Sequence, residues 1–306
     1  MRWLRHLAGL LLLLAAGLAQ AALEVAVVLS ESGGAYAAAA AALSDALVRS
    51  PSSVSNLQVV PLAQGGAADG ARVTVALGVA ACEQRLQASG DGALVCALVP
   101  RAAFERLLRV SGRKPSARLT AVYLSQPFER QLRLIRLALP AARRIGVLWG
   151  PESAPQAPAL RTVAQRLGLQ LVEATVTTEA DLAPGLRQVL AGSQALLVVP
   201  DPTVYGSNSV RNILLTAFRS GVPLVGVSPA YVRSGALLAV YATAEHAARD
   251  TLPLVVQALQ GRPWPSEPVY GSQFEVGVND HLARSLGLSL EPQALGTQLR
   301  GFEVGR

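Results

Sequence analysis

Short runs rich in Val and Leu alternate with longer amphipathic segments along most of this chain, and that alternation limits its folds more than any other feature. Apolar runs over residues 24–29, 57–61, 73–77, 93–99 and 119–124 have the length and β-branched content of buried strands. Between them, residues 35–49, 80–87 and 102–110 carry the spacing of helices. Strands that are apolar on both faces need cover on both faces, which helices returning between parallel strands provide.

A second series of the same kind follows. The segment 128–139 presents Leu132, Ile135, Leu137 and Leu139 as a buried stripe and Arg130, Arg133 and Arg136 as an outward one, and Pro140 ends it. Strands over 145–149, 169–174, 195–199, 223–227 and 236–240 then alternate with helices over 158–167, 179–190 and 210–220. The tail adds a helix over 244–259, a stiff Pro-rich connector over 262–268, a strand over 274–278 and a helix over 280–286. A chain of 306 residues holds about two domains. The expected fold class is α/β, with two doubly wound parallel-sheet lobes. Lobe one is expected over residues 22–124 plus 243–268, lobe two over 125–242 plus 269–306. Three passages between them place a hinge near Ser125, Thr243 and Tyr270.

The first 21 residues read as an export leader. Arg2 and Arg5 precede an apolar core over 7–18, and Ala19-Gln20-Ala21 is a small-x-small cleavage pattern. A membrane anchor is the alternative, but a span needs roughly 20 apolar residues. Cleavage near Ala21 predicts a soluble exported protein.

Composition excludes little else. Lys and Arg exceed Asp and Glu by seven, but Arg2 and Arg5 supply two of those charges and no run of the rest resembles a nucleic-acid arm. No nucleic-acid partner is expected. Cys82 and Cys96 stand 14 apart; a disulfide and two buried thiols are both open readings. Neither has a metal-ligand neighbour, so no metal or cofactor is expected. Outside the leader the only histidines are His246 and His281, no nucleophile elbow is present, and the chain is expected not to be an enzyme.

The polar and aromatic residues gather where strands end, and in open parallel sheets ligands bind beyond those carboxyl ends. Residues 195–243 show this best: an apolar run breaks into Pro200-Asp201-Pro202-Thr203-Val204-Tyr205-Gly206-Ser207-Asn208-Ser209 before a helix. Tyr36, Tyr123, Tyr205, Tyr231 and Tyr241 fall at or beyond predicted strand ends, whereas Tyr270 does not; Phe128 and Trp149 are placed similarly. Rings of this kind suit a flat or apolar ligand.

Asp201 is positioned to pair with a ligand ammonium, while Ser30, Ser32 and the N–H groups near Gly33 receive a carboxylate. Equally, Asp201 could cap its own turn. Thr203 and Asn208 carry the same two readings, as ligand contacts or as local caps. Ser125, Gln126 and Ser228 either touch ligand or shape the hinge. Arg101 and Arg233 are the best-placed cations for an anionic ligand.

Several segments resemble one known family. Tyr123-Leu124-Ser125-Gln126-Pro127-Phe128, Arg144-Ile145-Gly146-Val147-Leu148-Trp149-Gly150, Asp201-Pro202-Thr203-Val204-Tyr205, Gly221-Val222-Pro223-Leu224-Val225-Gly226-Val227-Ser228 and Ser234-Gly235-Ala236-Leu237-Leu238 are similar to ABC-transporter substrate-binding proteins, in the branch related to tryptophan and tyrosine uptake. The resemblance spans about Leu119 to Leu290. It implies the type I periplasmic-binding-protein fold with a three-crossover hinge, and a monomer that closes on a small solute in the periplasm. An amino acid or related aromatic compound is the implied ligand and an inner-membrane ABC permease the implied partner. A sensor that signals to a membrane kinase or cyclase would share this fold, and an exported α/β hydrolase is a third reading. One departure from relatives is the connection over 62–72, which is shorter than a helical crossover between parallel strands needs. It leaves open whether lobe one keeps the usual contacts.

Overall fold

The computed structural model describes residues 23–50, 54–88 and 90–304. The leader expected over residues 1–21 lies outside them. Two six-stranded sheets form the frame. The first contains β1 (Val25–Leu29), β2 (Leu57–Pro61), β3 (Val73–Leu77), β4 (Ala93–Val99), β5 (Leu119–Tyr123) and β11 (Val269–Tyr270) in the order β11-β5-β4-β3-β1-β2. The second contains β6 (Arg144–Trp149), β7 (Gln170–Thr175), β8 (Ala195–Leu197), β9 (Leu224–Gly226), β10 (Leu238–Tyr241) and β12 (Glu275–Val278) in the order β12-β10-β9-β8-β6-β7. All pairs are parallel except β10 with β12.

Sequence alternation decides which face each strand residue serves. In β1, Val25, Val27 and Leu29 pack under helices Gly34–Val48 and Ala244–Leu259 with Leu43, Leu47, Leu254 and Val255. Ala26 and Val28 pack on the opposite face with Cys82, Leu86, Phe104 and Leu107 from helices Val79–Gln87 and Arg101–Ser111. Cys82 and Cys96 are joined by a disulfide with Cα atoms 5.6 Å apart, which ties helix Val79–Gln87 to β4 and settles the two open readings. In the second sheet, Ile145, Val147 and Trp149 of β6 face one core and Leu148 the other.

The chain passes between the sheets three times, after Tyr123, after Tyr241 and after Tyr270. Because β11 pairs with β5, Val269 and Tyr270 belong to the first sheet, two residues beyond the boundary expected at 268, and the passage follows Tyr270. Tyr270 therefore also ends a strand, contrary to expectation, and its ring meets Tyr123 edge-on at 5.2 Å.

The connection after β2 carries no α-helix, in keeping with its short length, and folds as a tight 3-10 segment, Leu62–Ala68. Arg85 secures it by donating to the Gly65 carbonyl at 2.9 Å and to Asp69 at 2.7 Å, and a Cβ on Gly65 would lie 1.8 Å from Gln84 Oε1. Arg130 does not face outward. It is buried over the Phe274 ring at 4.1 Å and pairs with Glu303 at 2.7 Å. Its cover is the third passage together with helix Pro292–Val304, whose Leu295 and Leu299 reach the second lobe's core.

Candidate functional site

The strand order places a topological switch point between β1 and β3 and another between β6 and β8. The loops leaving these strands and their neighbours face each other between the lobes and enclose a cavity of about 500 Å3. That volume suits a small molecule, for which sites run roughly 300–1,000 Å3. The first lobe contributes Val79, Pro100, Ala103 and Arg106, and the first crossover contributes Leu124, Ser125 and Gln126. The second lobe contributes Glu152, Pro200, Asp201, Pro202, Tyr205, Val227, Ser228 and Tyr231.

Asp201 organises the second lobe's side. Its Oδ2 accepts the backbone N–H groups of Glu152 at 3.0 Å and Ser153 at 2.8 Å, and its Oδ1 accepts that of Thr203 at 2.9 Å. The self-capping reading of Asp201 is thus met, and the carboxylate also binds the neighbouring loop to its turn. Gly150 makes the approach possible: a Cβ there would stand 2.1 Å from Asp201 Oδ1. Tyr205 follows on the same turn, and its hydroxyl is enclosed without a hydrogen-bond partner. Burial, with Tyr231 and Asp201 nearby, raises the Tyr205 phenol above its usual range, and burial pushes Tyr231 up to about 12.

The lobes meet across the cleft through an ion pair. Arg106 Nε donates to Glu152 Oε2 at 2.9 Å, and both side chains line the cavity. At the back of the cleft, Ser125 Oγ accepts the N–H of Arg101, capping helix Arg101–Ser111 from the crossover. Gln126 is buried, and its Oε1 accepts from Arg130, which also donates to the Gly271 carbonyl. Two crossovers are therefore fastened to each other through Arg130.

Six of the residues singled out in the sequence come together on this cavity: Ser125, Gln126, Asp201, Tyr205, Ser228 and Tyr231. The others lie elsewhere. Phe128 and Trp149 are buried in the second lobe's core, with Trp149 Nε1 donating to Glu173 at 2.7 Å. Ser30 Oγ accepts the N–H of Ala81, and Tyr36 packs beside Gly78. Ser32, Gly33 and Asn208 are exposed, and none of them is among the lining residues. Thr203 gives its N–H to Asp201, and Tyr241 donates to Glu275 at 3.3 Å beside the hinge. Arg101 is taken up by Glu105 and Tyr270, and Arg233 lies outside the lining.

Sequence reasoning missed Val79, Pro100, Ala103, Arg106 and Glu152. Pro100 directly follows β4 and Val79 comes two residues after β3, so the strand-end rule could have found them had it been applied to the whole first sheet. Arg106 lies in the second turn of a helix, and nothing local marks it.

The model of the family described as ABC transporter substrate binding protein matches residues 55–297. No curated protein matches the chain. Among solved structures, the ligand-free, open structure of CD0873 from Clostridium difficile, a substrate binding protein with adhesive properties, is similar at a TM-score of 0.68 and 17% identity, covering 88% of this chain and 96% of that one. An ABC domain in complex with L-Trp from Streptococcus pneumonia is similar at a TM-score of 0.61 and 18% identity, covering 89% and 98%. A conserved domain protein from Vibrio cholerae gives 0.61 and 20%, covering 90% and 97%. At these identities the likenesses establish the fold.

Proposed function

This chain belongs to the ABC transporter substrate-binding protein family, whose members bind solutes without catalysis, and from that premise we propose that it serves an importer by closing its two lobes on a small solute. The observation that carries the reading is the cavity of about 500 Å3 between facing strand ends, with three crossovers behind it and one ion pair across it. Closure hides the solute and creates the shape that an inner-membrane permease reads. The ligand is an amino acid or a related aromatic compound. The largely apolar lining and the rings of Tyr205 and Tyr231 support that class, as does the L-Trp held by the Streptococcus structure.

Proteins of this family are extracytoplasmic, and among the described residues no helix is long and apolar enough to cross a membrane. The Cys82–Cys96 disulfide fits an oxidising compartment. We place the mature protein in the periplasm as a monomer, after cleavage near Ala21. The test is mass spectrometry of solute released from the purified protein, followed by thermal denaturation with that solute added. Released solute that raises the melting temperature meets the expectation. A protein that carries none, and that no amino acid or aromatic compound stabilises, refutes it.

A further inference from the structure

We propose that the end of the first lobe opposite the cleft holds a second binding site, for a phosphate-bearing anion. The cleft lies beyond the carboxyl ends of the strands, whereas Arg72, Gly92 and Arg118 directly precede β3, β4 and β5, at their amino ends. With the turn after helix Ala244–Leu259 these segments line a groove of about 680 Å3, within the range of small-molecule sites. It shares no lining residue with the cleft. Gly and Ala make up most of its wall, among them Gly70 and Ala71 at the end of the short connection after β2. A Cβ on Gly92 would stand 2.2 Å from the Ala71 carbonyl oxygen, so these two segments meet backbone to backbone. The long side chains on the groove are those of Arg72, Arg118 and Arg262.

Charge decides what such a groove accepts. Arg72 donates to the Leu259 carbonyl at 2.8 Å, Arg118 to the Asp91 carbonyl at 3.0 Å, and Arg262 to the Gln260 side-chain oxygen. These uncharged partners hold the guanidinium groups at the groove without neutralising them. Among the described residues, which include every Asp and Glu of the chain, none of the three arginines forms an ion pair, whereas Arg85, Arg101 and Arg106 of the same lobe each meet a carboxylate. Against three cations the groove sets Asp91 and the C-terminal end of helix Ala244–Leu259, which carries roughly half a negative charge. Glu24 lies near Arg72, but its carboxylate accepts from Ser55 at 2.7 Å. An adjoining hollow that shares Gly70, Gly90 and Gly92 adds Arg113, which donates to the Leu86 carbonyl at 3.4 Å. A positive excess remains.

Phosphate matches this set of donors. A guanidinium has five N–H donors in a planar fork, and each of these three uses one of them on its neutral partner. The rest are free for the paired bonds that arginine makes to phosphate oxygens. A phosphate group offers three such oxygens to arginines arriving from three separate segments, where a carboxylate offers two. A concave surface of one sign also concentrates an opposite charge at its mouth.

Calorimetric titration of the whole protein with pyrophosphate at low salt tests this. Wild type is expected to bind with a Kd below about 1 mM, and the Arg72→Gln, Arg118→Gln, Arg262→Gln triple variant at least about tenfold more weakly. Asp91→Asn removes the opposing carboxylate and leaves the Asp91 carbonyl to Arg118, so it is expected to bind about two- to fivefold tighter than wild type. Co-sedimentation with phosphatidylglycerol vesicles, set against phosphatidylcholine vesicles, separates the two sources of phosphate. Vesicle binding that the triple variant loses makes the ligand a lipid headgroup, and pyrophosphate binding alone makes it a soluble anion. Wild-type protein that binds neither probe overturns the inference, as does binding that the triple variant and Asp91→Asn both leave unchanged.

Discussion

Arg106, on a helix of the first lobe, and Glu152, on a loop of the second, stand 46 residues apart, yet Arg106 Nε reaches Glu152 Oε2 at 2.9 Å across the mouth of the cleft. The loop that carries Glu152 is held by Asp201, which also lines the cavity. Closure and the site wall therefore share one set of backbone hydrogen bonds.

Removing the cross-cleft pair should favour the open state. With Arg106 about one-third exposed, the pair contributes roughly 0.2–1 kcal/mol to closure. Arg106→Ala is expected to speed ligand release by a factor of about two to five, consistent with that range. Stopped-flow dissociation checks this, and raising the salt concentration should narrow the gap between wild type and variant.

Asp201→Ala strands three backbone N–H groups, those of Glu152, Ser153 and Thr203. A loss of about 2–4 kcal/mol in unfolding free energy is expected, since hydrogen bonds to a charged group contribute roughly 1.5–3 kcal/mol each and part of the loss is recovered by water. Gly150→Ala attacks the same contact from the other side, because its Cβ would stand 2.1 Å from Asp201 Oδ1. Denaturant melts of the two variants should both shift, with wild-type slope retained.

Reduction of Cys82–Cys96 should destabilise the first lobe. The bridge closes a loop of sequence separation 14, for which the chain-entropy model gives about 3 kcal/mol. Differential scanning calorimetry of the Cys82→Ser, Cys96→Ser double variant should show a melting temperature lower by roughly 6–12 °C.

Tyr231 gives a pH signature. Its phenol is pushed from a usual value of 10.0 up to about 12, so the native state holds this proton more tightly than the unfolded chain. The resulting stability is complete below pH 10 and is lost as pH rises toward about 12. A tyrosinate absorbance titration should show late-ionising tyrosines, Tyr205 among them, and one fewer of them in Tyr231→Phe.

Arg130 fastens two crossovers through Gln126 and the Gly271 carbonyl and pairs with Glu303. Arg130→Ala is expected to cost about 1–3 kcal/mol, because it strands the Gln126 and Gly271 acceptors while Glu303, 40% exposed, stays solvated. Hydrogen exchange should quicken at residues 124–127 and 271–274 before it does in the strands.

The alternation of apolar runs determined the two sheets and nearly every strand and helix, because burial on both faces leaves a local, periodic imprint on each segment. It also located the turn from Pro200 to Tyr205, since polar residues crowd directly after an apolar run. The strand-end rule that found Tyr205 and Tyr231 misjudged Trp149, because a strand's last residue can turn back into the core as readily as out of it. Arg130 looked like an exposed helix residue, and segments more than 140 residues later, the third passage and the last helix, buried it. The meeting of Arg106 with Glu152, and the grip of Asp201 on the Glu152 loop, belong to the tertiary structure alone. Such contacts join residues whose own neighbours carry no trace of the partner, so they exist only once two separately folded sheets are brought face to face.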